Sequence, residues 1–91
     1  MDLLEAFRSG EIAGQKIKKA LELYPLHDVR EALKIGFRKL SCDYKSESCM
    51  YPELSDSLEK KSGEYNGFAK KLSLKEKIEY EGVVVPAADS T

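Results

Sequence analysis

From Asp28 to Ser41 the chain reads DVREALKIGFRKLS, with Val29, Ala32, Leu33, Gly36, Phe37 and Leu40 at the i, i+3, i+4, i+7, i+8 and i+11 positions of one helical face. A stripe of that period has to be buried, so the remaining elements must be arranged to cover it. On the other side Arg30, Lys34 and Arg38 recur every fourth residue, which predicts a basic line in solvent. Ile35 lies outside the core stripe, beside that line. An apolar residue with Lys34, Arg38 and Lys39 around it has the form of a small anchor in a charged rim.

The neighbouring segments supply the cover. Glu11 to Tyr24 places Ala13, Ile17, Ala20, Leu21 and Tyr24 on one face and Lys16, Lys18 and Lys19 away from it, which predicts a second helix. Ser9 is a credible N-cap for it, and Pro25 ends it by pushing Tyr24 out of the α region. Leu3, Leu4 and Phe7 form a short amphipathic segment before Ser9-Gly10. A single helix from Leu3 to Tyr24, with Gly10 and Gly14 on its seam, competes with this reading. Each interior glycine costs about 1 kcal/mol relative to alanine, which favours a break near Gly10. Asp28, with Glu31 three residues on, has the pattern of a capping box for the central helix.

Beyond Ser41 the periodicity fades. SCDYKSESCMYP, Ser41 to Pro52, reads as a loop with one apolar spot at Met50-Tyr51. Leu54, Leu58, Tyr65, Phe68, Ala69 and Leu72 return to helical phase, although SGEYNG at Ser62 to Gly67 leaves an interrupted helix as a second reading. Ser73 with Glu76 predicts a cap for a last short helix carrying Leu74 and Ile78, stopped at Gly82. Val83 to Val85 is extended by propensity, either as a strap completing the core or as a strand offered to a partner. The expectation is an all-α, single-domain bundle of four to five helices over 1-85, with an extended C-terminal strap and a flexible tail at 86-91.

Composition narrows the function classes. Fifteen Lys plus Arg stand against sixteen Asp plus Glu in 91 residues, a formal charge of -1, so no global field recruits nucleic acid or an anionic membrane. The longest apolar run is far short of a membrane span, and no export signal is legible. Two cysteines in such a chain suit a reducing compartment, so the expected location is cytoplasmic.

Chemistry-bearing patterns are sparse. Cys42, Cys49 and His27 do not make a zinc set, because Cys-x6-Cys is not a short knuckle and a fourth ligand is lacking. A reversible Cys42 to Cys49 disulfide closing the loop remains open at this level, subject to geometry. No phosphate-cradling glycine pattern occurs, and nothing specifies a base-nucleophile pair around His27. The chain is therefore expected to be non-catalytic, with no cofactor and no metal.

Two functional readings follow. The first is a small protein-binding regulatory factor, an adaptor or inhibitor, that touches another protein through Arg30, Lys34, Ile35 and Arg38. The alternative is a nucleic-acid-binding, helix-turn-helix-like regulator. From Glu11 to Ser41, seven basic against four acidic residues give a net +3, which favours the alternative. Asp28 and Glu31 in the first turn of the would-be recognition helix, and a net -4 elsewhere, oppose it. A homodimer is compatible with either.

Overall fold

A computed structural model gives the fold of residues 2–88. In chain order these form α1 (Leu3–Arg8), α2 (Gly14–Leu23), α3 (Leu26–Met50), a 3-10 turn (Pro52–Leu54), α4 (Ser55–Ser73), β1 (Ile78–Tyr80) and β2 (Val83–Val85). The molecule is mostly helical, with a small antiparallel hairpin at its C-terminal end. Its extents are 43 × 29 × 20 Å, the long direction reflecting the 25-residue α3.

The predicted stripe is the centre of the core. Val29, Ala32, Leu33 and Phe37 are fully buried, together with Phe7 of α1, Ile17 and Ala20 of α2, and Val85 of β2. Ala69 and Leu72 of α4 and Ile78 of β1 complete it. The ring of Phe37 meets Phe68 at 5.1 Å and Tyr80 at 5.3 Å, so α3, α4 and the hairpin share one aromatic contact. Gly36 marks the closest approach: a Cβ there would overlap the Phe7 carbonyl outright. Glycine is thus what lets the end of α1 lie on α3.

The chain breaks at Gly10, as the cost of interior glycines predicts. Gly10 has φ 98, its N–H donates to the Phe7 carbonyl, and the Glu11 N–H reaches back to Ala6. This is a left-handed C-terminal turn of the Schellman type. Ser9 therefore closes α1 instead of opening α2, its hydroxyl donating to the Ala6 carbonyl at 2.8 Å. Helix α2 starts at Gly14, later than Glu11, and has no side-chain cap of its own. The cap comes from the hairpin: Glu81 accepts from the Gly14 N–H at 2.9 Å.

Two further expectations are corrected here, and one open choice is resolved. Helix α3 begins at Leu26, with Pro25 rather than Asp28 at the cap, because proline suits a helix entrance and lacks the N–H that would go unsatisfied there. Asp28 sits in the first turn, where its charge still favours the helix dipole. The segment expected as a loop, Ser41 to Pro52, continues α3 to Met50. Ser41, Tyr44 and Ser48 fall on one side of the helix, and Pro52 then forces Tyr51 out of helical geometry. Helix α4 runs unbroken through Ser62 to Gly67, since Tyr65 stacks on Tyr44 at 5.5 Å while Gly63 and Gly67 meet nothing within 4 Å.

The last helix expected after Ser73 is a β-hairpin. Lys75 adopts φ 64, its N–H bonding to Leu72 and that of Glu76 to Lys71, which ends α4. Ile78 then pairs with Val85, and Tyr80 with Val83, across a two-residue Glu81-Gly82 turn in which both residues have positive φ. The extended character of Val83 to Val85 agrees with its propensity. Within the expected tail, Pro86 accepts a hydrogen bond from Arg30 and Ala88 donates one to Lys75, so 86–88 are tied down. Residues 89–91 lie outside the described part.

Candidate functional site

The four residues expected at a partner surface do not share one environment. Arg30 is 4% exposed, so the solvent-facing basic line predicted through it is corrected. Its Nη1 donates to the Pro86 carbonyl at 2.7 Å and its Nη2 to the Leu72 carbonyl at 3.2 Å. A cation bonded to the Leu72 carbonyl, in the last turn of α4, also favours the negative end of that helix. Burial lowers the Arg30 pKa from its ordinary value.

Lys34 is half-buried and donates to Glu31 at 3.1 Å. Arg38 is exposed and donates to the Ser73 hydroxyl at 3.1 Å. Arg30 and Arg38 thus both reach the end of α4. Ile35 is 44% exposed on the outer face of α3. Isolated exposed isoleucines are common, and no second large apolar residue of α3 stands beside it among the described residues.

A denser apolar group sits at the outer end of the α3–α4 pair. Met50, Tyr51 and Leu54 are 69%, 55% and 57% exposed within five residues. Toward this end α3 packs on α4 and the 3-10 turn, and from Arg38 to Lys61 Ser48 is the one buried residue among those described. This arm is held by polar and aromatic contacts. Ser41 donates to the Ser62 carbonyl at 2.9 Å, Ser62 donates to the Ser41 carbonyl at 2.8 Å, and the two hydroxyls are 3.0 Å apart. The Lys61 ammonium stands 5.6 Å from the Tyr44 ring centre.

Met50-Tyr51 is visible in the sequence as an apolar spot. Leu54 is not, because it falls in phase with the α4 stripe and is read as core. It precedes the helix, where no neighbour covers it.

Cys42 and Cys49 are exposed free thiols on α3. Seven residues of helix separate their Cα atoms by roughly 10 Å, which rules out the intrahelical disulfide left open by the sequence. Among the described residues, no three His, Cys, Asp or Glu side chains come together as a metal set. Half-buried beside Phe37 and Phe68, with Tyr65 next to it, the Tyr80 phenol has its pKa raised well above the ordinary value, first by desolvation. No helix among the described residues is long and apolar enough to cross a membrane.

The chain matches no family model, no curated protein and no solved structure.

Proposed function

We propose that this protein is a small protein-binding factor that acts by surface contact, with its principal contact at the tip of the α3–α4 arm. The observation that carries this is the exposed trio Met50, Tyr51 and Leu54 at the end of an arm reaching away from the core. Each of these large apolar side chains leaves more than half of its surface uncovered by the chain's own packing. Tyrosine and methionine are also the residue types enriched at protein interfaces, tyrosine for its rigid amphipathic area and methionine for its adaptable one. Ile35, on the outer face of the same helix, and the exposed Arg38 beside the end of α4 form a secondary region of contact, and Lys34 lies at its margin.

The reading is non-catalytic: the tip offers area and shape for contact with a partner. Photo-crosslinking separates it from its alternatives. A crosslinker placed at Tyr51 should give heteromeric adducts, and one placed at the far side, at Lys18, should not. Adducts from Lys18 alone would move the contact elsewhere. Adducts of Tyr51 with a second copy alone would make the tip a self-association surface.

A further inference from the structure

A recess of about 300 Å³ lies between the first turns of α3 and the end of α4, and its charge is unusual. Arg30, Lys34 and Lys75 line it with one acidic residue, Glu31, which pairs with Lys34 at 3.1 Å, so its lining residues carry an excess of two positive charges; His27 adds a ring nitrogen that can donate or accept. We propose that this recess binds a small phosphate monoester, with Arg30 and Lys75 holding the phosphoryl group and the organic part lying on Leu26 and Leu72.

Arg30 carries the argument. It is nearly fully buried, and among the described residues no carboxylate lies within salt-bridge distance of it. Its two hydrogen-bond partners are main-chain carbonyls, which bear no net charge. A buried cation is costly unless it is both hydrogen-bonded and neutralised, and here only the first condition is met. The guanidinium has five N–H donors in a planar fork that suits phosphate, and two bonds leave donors to spare.

Lys75 is the second observation. The chain makes the same left-handed turn at two helix ends, and it places Gly10, φ 98, in one and Lys75, φ 64, in the other. Glycine occupies this position without strain, whereas a lysine there is strained. The lysine that bears this strain lines the recess. The Leu72 carbonyl, which would repel an anion, is already engaged by Arg30 Nη2 and by the Lys75 N–H. A phosphate monoester carries close to two negative charges at neutral pH, matching the excess of two positive groups, and a carboxylate would leave one uncompensated.

The test is an NMR titration of the full chain at fixed ionic strength with glycerol 3-phosphate, inorganic phosphate and acetate as probes. Saturable shifts at the Arg30 Nε–H and the amides of residues 72–76, tightest for glycerol 3-phosphate and weakest for acetate, are expected. Lys75→Gly removes one ammonium and relieves the turn, so it should weaken glycerol 3-phosphate binding by about tenfold while raising Tm. Lys34→Gln should weaken binding too, with the fold unchanged. Absence of saturation, equal response to acetate, or unchanged binding by Lys75→Gly would each overturn the proposal. Equal affinity for inorganic phosphate would overturn the assignment of an organic part. Binding seen only in Asp89→Asn would also overturn it, by showing that the chain supplies its own counterion.

Discussion

Arg30 Nη2 donates to the carbonyl of Leu72 at 3.2 Å while Nη1 reaches Pro86, so one side chain of α3 closes the end of α4 and holds the segment after β2. The same residue looks, by spacing alone, like part of a solvated basic face.

Replacing Arg30 by methionine keeps much of the stem's packing but leaves the Pro86 carbonyl without its donor and the Leu72 carbonyl with the Lys75 N–H alone. The expected loss is about 2–4 kcal/mol in urea unfolding, with the m-value unchanged. Arg30→Lys should fall between, since one ammonium does not reproduce the two-armed geometry. A loss below about 0.5 kcal/mol for methionine would mean that the bridge is dispensable.

Glycine substitutions should split by position. Gly36→Ala drives a methyl into the Phe7 carbonyl, so α1 must leave α3, and a cost of about 3 kcal/mol or failure to fold is expected. Gly63→Ala meets nothing within 4 Å in an exposed helix interior and should stabilise by about 0.5–1 kcal/mol. Thermal unfolding of the two variants reads both signs.

Ser41 and Ser62 exchange side-chain to main-chain hydrogen bonds between α3 and α4. Each alanine variant should cost about 1 kcal/mol, and the double variant should cost less than the two together, because they share one contact. Hydrogen exchange should show residues 42–61 opening below the global unfolding energy, since this arm has no fully buried apolar side chain.

Tyr80 gives a pH dependence. Its folded pKa lies above the ordinary 10.0, first because of burial, so the folded state holds the phenolic proton more tightly than the unfolded state does. The contribution is complete below pH 10 and declines as pH rises above it. Tyr80→Phe should flatten the alkaline limb of the stability profile relative to the parent chain, and identical limbs would contradict this.

How much of this was legible in the sequence follows from which side chains mark the buried faces. Val29 to Phe37 declare a helix because apolar residues carry the period. From Ser41 to Met50 the helix continues, but the face toward α4 is written in Ser41, Tyr44 and Ser48, and serine reads as loop. Leu74 and Ile78, four apart, imitate a helix, whereas the hairpin depends on Glu81-Gly82, a weaker turn signal than Asn-Gly. The fate of Arg30 was not local at all: it follows from where α4 ends, 42 residues later. The tip was half legible, because Met50-Tyr51 stands out and Leu54 does not.

The central claim is that the arm's tip makes the functional contact, and quantitative capture with the immobilised chain tests it most directly. Tyr51→Glu with Leu54→Glu leaves the core untouched and should retain the parent helicity. The account predicts that a protein captured specifically by the parent chain is lost from this variant, and kept by an Ile35→Asp control with at most a partial reduction. Undiminished capture by the tip variant would contradict it.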